Sequence, residues 1–138
     1  MQELLEQDKR LFWMPAEGLD VLNSCFGLEV ETLESGETRG SAGRIGYLLQ
    51  GEASIQTDRG TERFSGSGLV GICLGGAQGY QQDRGVITAL STCEVLWMPY
   101  DVMAFACHRN CWFHTRLILT IRQMLEEQVA HSMEKKQK

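Results

Sequence analysis

Arg44-Ile45-Gly46-Tyr47-Leu48-Leu49-Gln50-Gly51-Glu52-Ala53-Ser54-Ile55 is the stretch whose reading decides the fold. It holds one apolar run, Arg44–Leu49, and most of a second, Ala53–Thr57, parted by a glycine-containing turn. Both are of strand length, which predicts a strand pair. The same pattern continues outward from Leu28 to Met98, where short runs rich in Val, Ile, Leu and Thr alternate with glycine turns. The other predicted strands are Leu28–Leu33, Thr61–Phe64, Val86–Leu90 and Glu94–Met98. Asp58-Arg59-Gly60 is a predicted hairpin turn and Ser65-Gly66-Ser67-Gly68 a further loop. Fifteen glycines against two prolines fit the many tight turns of an antiparallel sandwich or small barrel.

On either side of this block the chain reads as helical. Gln2 to Phe12 carries apolar residues at 4, 5 and 12. A second segment holds Leu19, Val21, Leu22 and Phe26 and is stopped by Gly27. Pro99 closes the last strand because it has no N–H for a ladder, and Asp101 stands where an N-cap belongs. A helix of about two turns is predicted there, followed by a turn at Arg109-Asn110. The fold class that follows is α+β: a double-stranded β-helix (jelly-roll) core with N-terminal helices and a long C-terminal dimerisation helix.

That last helix, Cys111 to about Lys135, holds no Gly or Pro. Ile118, Ile121 and Leu125 recur at i, i+3 and i+7, with Leu117, Met124 and Val129 beside them. A helix of this extent is roughly 35 Å long, more than a small domain covers. A homodimer seam through Ile118, Ile121, Leu125 and Val129 is therefore expected, against the alternative of a helix lying across its own domain. The chain is expected to divide into residues 1–110, a jelly-roll domain with flanking short helices, and residues 111–138, the dimerisation helix.

The chain has 138 residues and a net charge of −5, which supplies no electrostatic footprint for nucleic acid or anionic membrane. Lys135, Lys136 and Lys138 suit a helix C-terminus instead. With no apolar run near membrane-spanning length and no signal-peptide pattern, a soluble cytoplasmic protein without a membrane partner is expected. Five cysteines are too few for a secreted scaffold and are expected as reduced thiols.

All three histidines, His108, His114 and His131, follow the β-rich region, so a metal centred in the barrel is not expected. Neither a nucleophile elbow, a P-loop nor a dinucleotide fingerprint is present, and no enzyme is predicted. One constellation has metal or thiol-sensing character. On a continuous helix Cys107, Cys111 and His114 share a face. A tetrahedral site needs a fourth ligand, and Trp112 and Phe113 suggest a packed junction, so no metal is assigned. Cys25, Cys73 and Cys93 read as core residues, with Cys73 singled out for a modification test.

Four phrases in order resemble the cyclic-nucleotide-binding-domain superfamily, specifically the effector domain of CRP/FNR-type bacterial transcription regulators. Leu11-Phe12 with Leu19, Leu22 and Cys25, then Glu34-Ser35-Gly36-Glu37, is similar to that family's opening helices and first strand. Arg44 to Ile55 resembles its Ile-x-x-Leu-Leu-x-Gly-x-x-x-Ile strand pair. Ala89-Leu90-Ser91-Thr92-Cys93-Glu94-Val95-Leu96 resembles a late strand, and Cys107 to His114 a Cys-x-x-x-Cys-x-Phe-His junction of one branch. The resemblance implies a ligand-sensing domain that signals through a paired helix to a helix-turn-helix domain beyond Lys138. DNA would be contacted only through that further domain. The alternative is a free-standing small-ligand-binding or interaction module.

The chain departs from the family twice. Between Glu37 and Arg44 it is several residues shorter. Where the family's cassette has Phe-Gly-Glu-Leu, this sequence has Val70-Gly71-Ile72-Cys73 followed by Leu74, so the carboxylate that takes the ribose hydroxyl is replaced by Ile72. Arg84 in Asp83-Arg84-Gly85 stands near the phosphate-binding position but one place off. Gly75-Gly76-Ala77-Gln78-Gly79 offers backbone donors. The resemblance places a ligand among Gly71, Ile72, Cys73, Leu74, Arg84, Gly85 and Val86, with Met124 and Gln128 looking in from the helix. Cyclic AMP is not expected, because a site that has lost one partner of a bound hydroxyl loses orders of magnitude in affinity. A more apolar small molecule is expected, of unknown identity, and no cofactor is named.

Overall fold

The computed structural model describes residues 2–8, 11, 13–57, 60–75, 79–104 and 112–136, without the side chains of 2–3, 104 and 131–136. In chain order the elements are α1 (Gln2–Glu6), α2 (Ala16–Phe26), β1 (Glu29–Leu33), β2 (Thr38–Gly40), β3 (Arg44–Gln50), β4 (Glu52–Thr57) and β5 (Gly60–Ser65). There follow β6 (Leu69–Val70), β7 (Ile72–Leu74), β8 (Tyr80–Gln82), β9 (Val86–Ala89), β10 (Cys93–Pro99), α3 (Asp101–Ala104) and α4 (Trp112–Lys136). The class is α+β, with every strand pair antiparallel.

Two four-stranded sheets carry the molecule, in the orders β1-β10-β3-β6 and β2-β9-β4-β5, with β7-β8 as a separate hairpin. The first sheet has a core on each face. Leu48 of β3 and Val95 and Trp97 of β10 meet Ile55, Ile87 and Ala89 of the second sheet. Ile45, Tyr47 and Leu49, together with Leu96 and Met98, turn the other way toward the helices. Successive strand residues point to opposite faces, so a strand covered on both sides must be apolar throughout. That explains Arg44–Gln50, which is buried from Ile45 to Leu49. Gly46 is required there: a Cβ would lie 2.6 Å from the Trp97 ring and 2.7 Å from Val70. β5, the edge of the second sheet, alternates instead.

The helical layer brings Leu19 and Leu22 of α2, Val102 and Met103 of α3, and Leu117, Ile121, Met124 and Leu125 of α4 into one cluster on the first sheet. α2 ends as its sequence indicates, with Gly27 at φ 73° and its N–H donating to Asn23 O at 2.9 Å.

Several sequence expectations need revision. α1 ends at Glu6 rather than continuing to residue 12. Asp8 is the reason: its carboxylate accepts the Leu11 N–H at 3.0 Å, a local bond that competes with the helical ladder. The structure adds β2, β6, β7 and β8, which are only two or three residues long and show no periodicity to read. The predicted second turn of α3, at 105–108, lies outside the described residues, as do the hairpin turn at 58–59 and the turn at 109–110.

The predicted dimer seam splits. Ile121 and Leu125 are 0 % and 2 % exposed under the chain's own atoms, so they face inward and are not free to pair with a second copy. Ile118 and Val129 are half-buried, while Leu119 is 57 % exposed on the outer face. Among the described residues no helix is long and apolar enough to cross a membrane.

Candidate ligand site

The expected site falls on the segment that leaves the first sheet at β6, folds as the β7-β8 hairpin and enters the second sheet at β9. Its two glycines are structural necessities. Gly71 sits at φ 92°, and a Cβ there would collide with the Arg44 carbonyl oxygen. A Cβ on Gly85 would run into Val70. Ser41, only 2 % exposed, closes this crossing. Its N–H donates to Gly85 O at 2.9 Å, and its Oγ accepts the Gly85 N–H at 3.1 Å. The same hydroxyl lies 3.3 Å from Asp83 O, to which it donates, and Asp83 N–H donates to Gly71 O at 3.0 Å.

This bonding limits the chemistry. An anion cradle needs free backbone N–H groups, and those of Asp83 and Gly85 already have intramolecular acceptors. Gly75 N–H likewise donates to Gly79 O at 3.1 Å. Arg84 is exposed and makes no ion pair with a described residue. Gly76, Ala77 and Gln78 lie outside the described residues.

The remaining predicted residues separate into two groups. Ile72 is 4 % exposed and joins Leu69, Met124 and Leu125 in the helix-side core, with Leu74 and Tyr80 packed against them. Cys73 is half-buried on β7, while Val86 is exposed beside Arg84 on the other sheet. Tyr80 donates its hydroxyl proton to Met103 O, which fastens the hairpin to α3. Burial pushes the Tyr100 phenol up from its ordinary value, with Tyr80 and Cys73 nearby adding to the effect. Ile72, Leu74 and Met124 thus come together; Arg84 and Val86 stand apart from them.

Gln128 links this segment to α4. Its Oε1 accepts the Leu69 N–H at 3.1 Å, and its Nε2 donates to Leu69 O at 3.4 Å. β6 is the edge of its sheet, so Leu69 presents backbone groups that a primary amide, with both donor and acceptor, can satisfy together. Gln128 therefore contacts the first residue of the cassette segment.

Of the metal candidates, His114 is 2 % exposed, and its Nε2 donates to the Val102 carbonyl at 2.6 Å. The Phe26 ring packs 4.9 Å from it. That nitrogen holds α4 to α3 and has no lone pair left for a metal. Cys107 and Cys111 lie outside the described residues, and no group of three possible metal ligands occurs among those described. Away from the cassette, a void of about 10 Å³ between α2, β10 and α4 is lined by Leu19, Leu22, Leu28, Leu96 and Leu117. It is of single-water size and wholly apolar, unsuited to a metabolite.

Ser41, and the Asp8–Tyr47 pair beneath β6, were not legible as site residues. A serine in a Gly-Ser-Ala-Gly turn and an acid in a polar N-terminus have the composition of solvent-facing segments.

The chain matches no sequence-family profile and no curated protein. Solved structures do match. It superposes on PKAR CBD2 with Sp-2Cl-cAMPS bound over 96 % of this chain and 84 % of that one, at 15 % identity and a TM-score of 0.51. It superposes on a CprK variant over 89 % of this chain, spanning 60 % of that chain's length, at 13 % identity and a TM-score of 0.50. A conserved protein of unknown function from Streptococcus pyogenes, at a TM-score of 0.38, is matched over 62 % of its length, too loosely to bear on the argument. At these identities the likeness is one of backbone architecture: the chain has the fold of the cyclic-nucleotide-binding domains.

Proposed function

We propose that the chain is a non-enzymatic ligand-sensing domain of the CRP/FNR regulator type, tuned to a small molecule less polar than cyclic AMP. The observation that carries this reading is the two-way bond between Gln128 and the Leu69 backbone. A ligand that moves the segment from 69 to 86 must keep or break that bond, and either choice is felt by α4. The neighbourhood supports an apolar ligand: Ile72, Leu74 and Met124 supply hydrocarbon where a ribose would need an acceptor. Arg84, exposed and outside that cluster, would meet a ligand's anionic end only if the ligand reached beyond Ile72, Leu74 and Met124.

Signalling would run from α4 to a second copy and to a DNA-binding domain following it. The outer face of α4 around Leu119, with half-buried Ile118 and Val129, is the part left for pairing.

The test is native mass spectrometry of freshly purified protein, with hydrogen exchange over residues 117–129 before and after the bound species is stripped. A co-purified small molecule whose removal changes exchange at Leu69 and at 124–129 is expected. A ligand-free protein in which a broad set of metabolites leaves exchange unaltered would remove the sensing proposal.

A further inference from the structure

A chain of polar groups runs beneath the loop that leads into the cassette segment. Tyr47, at the middle of β3, is fully buried, and its hydroxyl lies 2.8 and 2.9 Å from the two carboxylate oxygens of Asp8. On its other side Ser67 Oγ is 3.3 Å away. A phenol has one proton. The carboxylate, itself 7 % exposed, attracts that proton, which leaves Ser67 as the donor to the phenol oxygen.

Each end of this chain fixes a different element. Asp8 also accepts Leu11 N–H, and Leu5 and Leu11 belong to the same buried cluster as Tyr47. Ser67 stands at φ 60°, a left-handed conformation that non-glycine residues hold only when their surroundings fix it. Its N–H donates to Leu48 O at 2.8 Å, and Leu48 N–H donates to Gly68 O at 2.9 Å. Next in sequence is Leu69, whose backbone Gln128 holds from α4.

We infer that residues 66–69 form a shared hinge through which docking of the N-terminal segment, 4–14, is coupled to docking of α4, with Tyr47 as the positioning residue. The N-terminal segment grips one end of the loop through Asp8, Tyr47 and Ser67. α4 grips the other through Gln128. A loop that needs both grips to stay in a strained conformation becomes freer when either is lost, so each docking strengthens the other. The N-terminal segment is then a second output of the cassette beside α4, or a place from which a partner bound at the N-terminus could bias it. The coupling requires no ligand and stands or falls apart from the sensing proposal.

The test is hydrogen exchange on the full chain without added ligand. Tyr47→Phe deletes one oxygen and keeps the ring. Residues 4–14 are expected to exchange about tenfold faster, the size of a typical coupling between sites. Residues 124–129 should accelerate severalfold, while β4 at 52–57 changes little. Gln128→Leu should produce the reciprocal pattern, and the double variant should fall short of the product of the two. Acceleration confined to 4–14 in Tyr47→Phe overturns the inference. So does equal acceleration of all three segments, which marks a merely structural tyrosine. If Tyr47→Phe does not fold, Ser67→Ala decides between the same outcomes, because it keeps the Cβ at the same positive φ and removes only the hydroxyl.

Discussion

Gly71 has no freedom to be anything else. At φ 92°, with the Arg44 carbonyl oxygen where a Cβ would stand, any side chain must either strain the backbone or push β3 away from the crossing. Gly71→Ala is expected to cost about 2–4 kcal/mol, measured by urea denaturation, and a loss below about 0.5 kcal/mol would contradict the crossing geometry. Cys93 makes a second prediction. Its thiol is fully buried and donates toward Glu52 O and Ser91 O at 3.1 and 3.2 Å. Burial pushes its pKa up from 9.0, while hydrogen bonds from Ser91 pull partly back. Between the unfolded and the raised folded value, the unfolded chain has lost a proton that the folded chain keeps. Stability therefore falls as pH rises above about 9. Cys93→Ala should flatten that alkaline slope, and a slope unchanged in the variant would assign it elsewhere. Such residues are hard to find in a sequence because their importance comes from what crosses them, and crossing partners such as Arg44 and Ser41 are far from Gly71 and Gly85 in the chain.

Strands of four residues or more are legible whether buried on both faces, as β3 and β10 are, or largely exposed, as β1 and β5 are. β3 and β10 are continuous apolar runs because one sheet is sandwiched between another sheet and a helical layer, and both were recovered within a residue or two. β2, β6, β7 and β8 escaped because pairing, not side-chain pattern, defines strands of two or three residues. For α4 the helix and the inward turn of Met124 and Gln128 are legible, but Ile121 and Leu125 read as a seam and are instead buried. Ile118 and Ile121 are both apolar, and only the underlying sheet decides that 117, 121 and 125 turn inward. This predicts contrasting effects along one helix. Ile121→Ala should destabilise by about 2–5 kcal/mol, as a cavity in a packed core does. Leu119→Ala should stay within about 0.5 kcal/mol in dilute protein. Light scattering gives the associated result: Leu119→Asp is expected to lower the mass of any dimer while the monomer stays folded. If the mass and its concentration dependence match the parent, the outer face of α4 is not the seam.

At the scale of the whole molecule, a known backbone architecture carries its own packing at the expected site. The two sheets, the cassette segment and the long helix follow the cyclic-nucleotide-binding fold. Yet the position expected to hold the sugar carries Ile72, the Gly85 N–H is tied to Ser41 Oγ and the Asp83 N–H to Gly71 O. A reader of the sequence alone would restore the missing acid with Ile72→Glu and expect cyclic AMP binding to return. The packing argues for the opposite result. Ile72 is 4 % exposed among Leu69, Met124 and Leu125, so the new carboxylate would be buried in a cluster of hydrocarbon side chains. An uncompensated charge in such a place costs about 3–5 kcal/mol. Arg84, the only arginine in the segment, is exposed and outside the cluster that buries Ile72. Ile72→Glu is therefore expected to lower the denaturation midpoint and to give no binding heat with cyclic AMP in titration calorimetry. Micromolar cyclic AMP affinity in that variant, with stability intact, would mean that the cassette can open to a nucleotide geometry and that the apolar cluster around Met124 is a resting state rather than the lining of the ligand's own pocket.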